Sequence, residues 1–536
     1  MADRKESYHG DRMANARHPH ALIAFLAIAT HATALRGGFI WLDHAHIEDG
    51  LAVAPPQDWL TLFTHGFAGT GYYRPLMALS LSFEAALHQG AWLYHATTVL
   101  WHAAAAVLTA MAASALGGSR RTALAAGALF AVHPLSSLVA GAIAFRSEAM
   151  IAVALLALVV LHRKCHVAAG IALLLGALTK ETALVLGPLF IVALELDAPR
   201  PRPPMPHRIR LWASEGAALA AAVSLRLAFA PRWRAAFAPL APTEALGTRL
   251  GALAKSALRV ALPFDVTVCD TFPVTPFASA MAALGVAVAA GLGYLAYKRR
   301  GPALLLLLAL LPSLQLVPVM RWWSPHYLYV PFAFVAMLVA EQVMERSARV
   351  QRIAFGAAAL LGAVSFGADL RFESDATLWA DEVRADPTCR EAHFYLAEVA
   401  REQRHFEDAG ASYERAIAVT PGILSYVDRV PALQNLGVVR LEQGKFAEAR
   451  AAFRTALADV TDDGQRRFLL HNLAAAELRA GNPEEAARLL EGEVARSDAL
   501  AASIFIRARA VETLGRTEEA RALMRRLQSL VPPPRR

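Results

Sequence analysis

Residues 21–35 read ALIAFLAIATHATAL, and the chain continues shortly afterwards with FIWLDH at positions 39–44. The apolar stretch contains no acidic residue, so Asp43, Glu48 and Asp49 arrive where a membrane-embedded segment would leave the hydrocarbon. Carboxylates at a membrane edge are either ordinary solvated loop residues or members of a functional site. The choice between the two interpretations depends on which other residues lie on the same side of the membrane as these carboxylates.

The composition predicts a membrane protein. The chain has 536 residues, 56% of them hydrophobic, and its mean hydropathy of +0.36 is too high for a soluble protein of ordinary composition. Further apolar stretches occupy residues 92–116, 122–143, 147–162, 166–179, 182–197, 211–230, 277–297, 303–320, 326–343 and 352–369. Together with the first stretch they predict about eleven spans, several of them shorter than the roughly 20 residues of an untilted crossing.

The basic residues predict the orientation. They cluster in every second connection, on the side of the N-terminus: Arg120–Arg121, His162–Lys164, Arg200–Arg210, Lys298–Arg300 and Arg346–Arg352. Positive charge marks the cytoplasmic side, so we expect a cytoplasmic N-terminus and an outer C-terminal part. The net charge of +8 is explained by this orientation, and no nucleic-acid partner is expected. High Ala and Arg usage suggests a bacterial origin. With the orientation above, we then expect a protein of the bacterial inner membrane whose C-terminal part is periplasmic.

The C-terminal part carries an internal repeat. Ala409, Ala449, Ala486 and Ala520 recur at intervals of 34 to 40 residues, with Gly444, Gly481 and Gly515 each five positions before the last three alanines. Leu–small pairs precede them, and Tyr413 and Phe453 follow by four positions. Small residues where two helices cross, with large ones filling the gap to the next pair, are the tetratricopeptide pattern.

These patterns define the fold class and the domains that we expect. The chain is predicted to be all-α, with a polytopic helical domain followed by an α-solenoid of about four tetratricopeptide repeats. Residues 1–19 form a cytoplasmic tail, residues 20–370 the membrane domain, and residues 371–536 the repeat domain on the outer side.

The predicted outer loops collect acids, bases and aromatic residues from many separate helices. They are Asp43, His44, Glu48, Asp49, Tyr72, Tyr73, Arg74, His133, Arg146, Glu148, Lys180, Glu181, Arg321, His326 and Tyr327. Charges at this depth are costly unless they are paired or functional, which favours a shared polar cavity that opens outward. The alternative is that Arg146 with Glu148, and Lys180 with Glu181, are helix-end ion pairs that only neutralise each other.

The order of the motifs carries a resemblance. The motifs are Phe39-x-Trp41-x-Asp43, Tyr72-Tyr73-Arg74-Pro75-Leu76, Phe130-Ala131-Val132-His133-Pro134, Arg146-Ser147-Glu148, Lys180-Glu181, Leu311-Pro312-Ser313 and His326-Tyr327-Leu328-Tyr329-Val330-Pro331. From about residue 36 to the end, the chain resembles the multi-pass C-type glycosyltransferases with C-terminal tetratricopeptide repeats. These are similar to the animal transmembrane-and-tetratricopeptide O-mannosyltransferases and their bacterial relatives.

The resemblance implies transfer of a sugar, mannose or another hexose, from a polyprenyl-phosphate carrier to a Ser or Thr hydroxyl of a protein. Such chemistry needs a base, cations for the departing phosphate and an apolar groove for the lipid. We expect Asp43 to be the base and Arg74, Lys180, Arg321 and Arg146 to bind the phosphate, because a guanidinium holds two phosphate oxygens at once. The remaining loop residues would support the site, and the repeats would bind a protein or peptide acceptor.

No resident cofactor is expected beyond the lipid-linked sugar as donor. A phosphomonoester leaving group carries less charge than a diphosphate, so a divalent metal is not required, although Asp43 with Asp49 offers a place for one. The three cysteines show no CxxC or Cys/His spacing, which argues against a zinc site.

One position departs from the family pattern. The first loop of the family reads Trp-Asp-Asp, whereas this chain has Leu42 in place of the first acid. If both acids are essential, the chain is inactive or specialised; if the second acid faces the reaction, activity survives. The alternative function is therefore a catalytically silent membrane scaffold whose repeats organise an envelope complex. A flippase or transporter is less favoured because the chain shows no inverted repeat.

Overall fold

The computed structural model describes residues 18–198, 204–230, 240–264, 267–299, 301–315 and 321–530. Most of the predicted cytoplasmic tail, part of the basic run at 200–210 and the end of the 303–320 stretch lie outside these residues. The described chain forms two compact units, one up to residue 381 together with 422–424, and the other made of residues 382–421 and 425–530.

The first unit is a bundle of α-helices. Its helices are α1 (His18–Thr30), α2 (Pro75–Leu87), α3 (Ala91–Ala115), α4 (Arg120–Val132), α5 (Ser137–Gly141), α6 (Arg146–Leu161), α7 (His166–Thr179), α8 (Thr182–Leu196), α9 (Met205–Phe229), α10 (Pro242–Ala261), α11 (Ala280–Arg299), α12 (Gly301–Ala309), α13 (Tyr329–Met344), α14 (Ala348–Ala368) and α15 (Asp375–Ala385). The described strands are β1 (Phe272–Pro273) and β2 (Ile423–Leu424), which pair antiparallel. The all-α prediction is confirmed, with this short ladder as a small addition.

Five helical segments are long and apolar enough to cross a membrane among the described residues: Ala91–Ala115, Ile143–Leu161, Ala280–Arg299, Pro325–Met344 and Ala348–Glu373. A sixth arises if Arg120–Val132 and Pro134–Gly141, bent by 51° at Pro134, count as one span. Several other predicted spans correspond to shorter apolar helices, such as His166–Thr179 and Thr182–Leu196. The chain is therefore a polytopic membrane protein, and the number eleven stays a prediction.

Burial follows the expected division between lipid and protein. In the segment Ile143–Leu161, 83% of the 18-residue apolar stretch is buried inside the protein, whereas in the segment Ala348–Glu373 only 11% is. Apolar side chains exposed on such a helix suit contact with lipid. Small residues allow close packing inside the bundle: a Cβ added at Gly127 would lie 2.9 Å from the Ala106 carbonyl oxygen.

The second unit is the predicted solenoid. Four helix pairs follow α15: α16 (Arg390–Glu402) with α17 (Phe406–Ile417), α18 (Arg429–Glu442) with α19 (Phe446–Asp459), α20 (Asp463–Arg479) with α21 (Pro483–Leu489) and α22 (Glu491–Ala495), and α23 (Ala501–Thr513) with α24 (Thr517–Leu530). The repeated alanines are buried at the helix crossings, as are Tyr413 and Phe453. The prediction of about four tetratricopeptide repeats is confirmed.

The turns inside the repeats share one backbone conformation. Gly444, Gly481 and Gly515 have φ values of +73°, +83° and +76°. The first repeat has Arg404 at this position, with a φ of +61°. A left-handed conformation is unstrained for glycine but not for a residue with a side chain.

Candidate active site

Asp43 lies at the start of a short π-helix, His44–Glu48, in the loop that follows α1. Its side chain is fully buried. The backbone N–H of Ala144 donates to Asp43 Oδ1 at 2.8 Å, and the N–H of Ile40 donates to Oδ2 at 3.4 Å. Burial raises the pKa of Asp43 to about 7, although the two N–H groups oppose this rise. A carboxyl group of this pKa suits a general base at neutral pH.

Trp41 holds the loop in a strained conformation. Its φ is +58°, which is unusual for a bulky residue, and the side chain is 1% exposed. The Trp41 N–H donates to Asp375 Oδ1 at 2.9 Å, and Trp379 Nε1 donates to the same oxygen at 2.8 Å. The Trp41 ring packs against Phe145 and Trp379, with centroid distances of 4.8 and 5.0 Å. Together these contacts hold the backbone in this conformation just before Asp43.

The other titratable groups of the loop divide into two kinds. His44 pairs with Glu48 and, at 2.6 Å, with Asp375 Oδ2, and these carboxylates raise the pKa of His44 to about 9. His46 packs on Phe67, and burial lowers its pKa to about 4. His44 is therefore a cation at neutral pH, and His46 is neutral. Asp49 is exposed whereas Asp43 is buried.

Arg74 forms a two-pronged ion pair. Its Nε donates to Glu181 Oε2 at 3.0 Å, and its Nη2 donates to Glu181 Oε1. The guanidinium also stacks on Tyr72, 4.2 Å from the ring centroid. Burial would raise the pKa of Glu181, but the guanidinium outweighs it and lowers that pKa. Arg74 directly precedes α2, and its guanidinium is held in one orientation by Glu181 and Tyr72.

Lys180 pairs with Glu148 across two helices, and not with its sequence neighbour Glu181. His326 Nε2 lies 3.6 Å from the same Glu148 oxygen, and the other ring nitrogen is 2.6 Å from Ser324 Oγ. The alternative in which Lys180 pairs with Glu181 is not what the structure shows, because helix packing brings Lys180 to Glu148 and Glu181 to Arg74.

Arg321 completes the cluster. Its Nη1 lies 3.5 Å from Asp270 Oδ2, and its guanidinium lies 5.2 Å from the Trp41 ring centroid. Tyr327 donates from its hydroxyl to the Arg321 carbonyl oxygen at 3.2 Å. Sequence reasoning missed Asp270, which is 1% exposed, because it stands alone in a polar stretch without a motif.

The Arg146 side chain is bound inside the helical bundle. Its guanidinium is fully buried, and it donates to both Glu84 oxygens at 2.7 Å, to Thr98 Oγ1 at 2.9 Å and to the Tyr94 carbonyl oxygen at 2.6 Å. Its donors are thereby directed at partners inside the bundle, which favours a structural role for Arg146, and its contact with the donor phosphate stays a prediction. Glu84, which sequence reasoning overlooked, is its partner in place of Glu148.

Two further predicted site residues support the backbone. His133 Nε2 bonds the Val260 carbonyl oxygen at 3.1 Å, and its Nδ1 accepts from the Leu135 N–H at 3.2 Å. Tyr73 donates from its hydroxyl to the Phe63 carbonyl oxygen at 2.8 Å. Both side chains bind backbone groups of the loops between helices. Among the described hydrogen bonds, none joins either residue to an acid or base of the cluster.

A cavity of about 150 Å³ opens beside Arg74. Its walls come from the loop before α2 and from the start of α2: Leu51, Ala52, Val53, Ala54, Thr61, Leu62, His65, Gly66, Phe67, Ala68, Arg74, Pro75 and Ala78. The lining combines apolar side chains with Thr61, His65 and the Arg74 guanidinium, which suits a molecule that has both apolar parts and an anionic group. No group of three or more His, Cys, Asp or Glu placed to hold a metal occurs among the described residues.

The repeats are recognised by family models. Two tetratricopeptide repeat models match, one at residues 428–492 and the other at residues 371–422 and 471–533. The C-terminal part is thus a tetratricopeptide array by sequence as well as by structure.

Two curated relatives match short parts of the chain. Protein O-mannosyl-transferase Tmtc2 of Drosophila melanogaster is 32% identical over 120 residues, which cover 20% of this chain and 13% of the relative. TMTC2 of Mus musculus is 30% identical over 132 residues, which cover 23% and 16%. The chain thus matches less than a fifth of the length of these relatives.

Two solved structures show a partial likeness. The arabinofuranosyltransferase AftD from mycobacteria aligns with a TM-score of 0.38 and 20% identity, over 68% of this chain and 27% of that one. Yeast Tom70 aligns with a TM-score of 0.24 and 14% identity, over 76% and 95%.

Proposed function

We propose that this protein is a membrane glycosyltransferase that moves mannose or another hexose from a polyprenyl-phosphate carrier to Ser or Thr hydroxyls of a protein. The observation that carries the proposal is a buried carboxyl group, Asp43, in a loop whose Trp41 ring lies 5.2 Å from the Arg321 guanidinium. Arg321 belongs with Arg74 and Lys180 to one cluster of paired cations around His326. The similarity to the two O-mannosyl-transferases supports the sugar and the acceptor class.

Asp43 takes the proton of the acceptor hydroxyl as its oxygen attacks the anomeric carbon of the sugar. The bond between that carbon and the phosphate oxygen breaks, and the lipid phosphate leaves. The phosphate is a monoanion in the donor and gains a second negative charge as it departs. This developing charge is stabilised by Arg74, Lys180 and Arg321, because their attraction to the phosphate strengthens as the phosphate becomes more negative.

The cavity beside Arg74 receives the head of the donor, and the apolar helices receive its isoprenoid chain. The site opens to the periplasmic side of a bacterial inner membrane, the N-terminus is cytoplasmic, and the repeat array binds the acceptor or a partner protein on the same side as the site. No metal is required, since the paired cations supply the positive charge.

The test uses the full chain in nanodiscs with polyprenyl phosphomannose and a Ser/Thr-rich peptide, with hexose transfer read by mass spectrometry. Asp43→Asn is expected to lower the rate by about 10²–10⁴, as for loss of a general base. Arg74→Ala is expected to lower it as well. Asp49→Asn is the matched control, because Asp49 is an exposed acid of the same loop. Transfer that is equal in all variants would contradict the assignment.

The second candidate is a catalytically silent scaffold, and Leu42 in the position of the family's first acid favours it. A scaffold predicts no hexose on envelope proteins and full complementation of a deletion by both Asp43→Asn and Arg74→Ala. The topology is tested separately by alkaline phosphatase fused after Arg536, which is active only outside the cytoplasm.

A further inference from the structure

Arg226 lies in the last turn of α9, beside the loop that carries Tyr72 and Arg74. Its Nη2 donates to the Gly71 carbonyl oxygen at 3.4 Å, and its charge is felt at the Tyr72 hydroxyl. An arginine at the end of an apolar helix usually extends its head group outward to water. The guanidinium instead turns toward the candidate active site.

The other cations of the site are each matched by an acid. Arg74 is paired with Glu181, Lys180 with Glu148, and Arg321 with Asp270. Among the residues that the structure describes, Arg226 has no ion pair, and its Nη1 is buried without a hydrogen-bond partner. A buried guanidinium nitrogen without a partner is costly, so its charge calls for an anion.

We propose that Arg226 binds the phosphodiester of an isoprenoid-linked sugar donor. Each of the three matched pairs adds no net charge, whereas Arg226 adds one positive charge. A phosphodiester carries one negative charge, whereas a diphosphate carries more, so a donor with a single phosphate matches the charge of Arg226. The planar guanidinium holds two phosphate oxygens at once, and its neighbour Tyr72 stacks on Arg74 from the same loop.

The inference rests on the proposed function, because it names a residue for the donor of that same site. It also separates the roles of the cations. Arg74, Lys180 and Arg321 are held by acids and respond to the charge that develops in the reaction. Arg226 contacts the ground-state donor, so its loss weakens binding more than it slows turnover.

The experiment measures binding of citronellyl phosphomannose to the full chain in phosphatidylcholine nanodiscs. Arg226→Gln is expected to raise Kd about tenfold or more, the usual effect of losing a charge-assisted hydrogen bond, and Arg226→Lys is expected to restore part of the affinity. The matched control is Arg210→Gln, the same substitution at an exposed arginine of the same helix. Thermal melting of each variant shows that the fold is retained.

Three results would overturn the inference: no binding by the unaltered protein, equal affinity of Arg226→Gln and the unaltered protein, or equal competition by phosphatidylglycerol nanodiscs or inorganic phosphate. The last would mean that Arg226 holds bulk lipid or free anion. Donor binding that depends on Arg226, without any hexose transfer, would support the inference while the proposed transferase failed. Transfer with unchanged donor affinity in Arg226→Gln would do the reverse.

Discussion

Asp375 Oδ1 accepts the backbone N–H of Trp41 at 2.9 Å, and Asp375 Oδ2 lies 2.6 Å from His44 Nε2. One carboxylate at the start of α15 thereby binds a residue on each side of Asp43. The Trp41 backbone is in a left-handed conformation, which glycine adopts without strain but tryptophan does not. The bond to Asp375 helps to hold Trp41 in that conformation.

Loss of the Asp375 carboxylate should displace the loop. Asp375→Ala is expected to reduce hexose transfer by about tenfold or more, since small misplacements of a catalytic group are costly. Trp41 and Trp379 pack on each other, so a shift in tryptophan fluorescence should accompany the loss. Asp381→Asn, in the same helix and paired with Arg371, is the control and should leave both signals unchanged.

The pKa of Asp43, raised to about 7, predicts a pH dependence of transfer. A base acts only when it has lost its proton, so kcat/KM should fall about tenfold per pH unit below pH 7 and level off above it. A flat profile from pH 5.5 to 8 would contradict the role of base.

The same burial predicts a gain in stability on removing the charge. The folded protein favours the protonated form of Asp43, so its contribution to stability is present below the unfolded pKa and is lost as the pH rises through 7. Asp43→Asn should therefore raise Tm at pH 8 more than at pH 5 while it abolishes transfer. A lower Tm at both pH values would mean that the two accepted N–H bonds outweigh the cost of the charge.

Arg146 should matter for folding and not for the donor. Breaking a buried ion pair costs about 3–5 kcal/mol, so Arg146→Ala is expected to lower the melting temperature and the yield sharply. Arg146→Met combined with Glu84→Gln should recover much of the loss, because no unpaired charge then remains buried. Donor affinity of the folded double variant should equal that of the unaltered protein, and a large drop would restore the phosphate role.

The left-handed turn at Arg404 predicts a stabilising substitution. Arg404→Gly should stabilise the repeat array by about 1 kcal/mol, since glycine adopts this φ without strain. The reciprocal Gly444→Arg places a side chain in the same turn of the next repeat and should destabilise by a similar amount. Thermal unfolding followed by circular dichroism measures both, and a change of the same sign in the two variants would contradict the explanation.

The architecture was readable from the chain because it rests on periodicity. Apolar runs of membrane length and the spacing of alanines and glycines are local signals, and they predicted the helical bundle and the repeats. The convergence of Arg74, Lys180 and Arg321 on one region followed from the charge pattern of the connections.

The pairings inside the site were not readable in the same way. Arg146 meets Glu84 rather than Glu148, and Lys180 meets Glu148 rather than Glu181, because ion-pair partners are chosen by helix packing and not by sequence distance. Asp270 and Asp375 carry no motif, so only the folded chain reveals them as partners of Arg321 and Trp41.

The two groups that hold the Asp43 loop are made long after it. Ala144 follows Asp43 by 101 positions, and Asp375 follows Trp41 by 334. During synthesis the loop emerges before both of these partners, and Asp375 is translated only after the helix Ala348–Ala368. The site is therefore completed only once residue 375 has been made, and a ribosome that stops before it leaves the Asp43 loop without the carboxylate that binds Trp41 and His44.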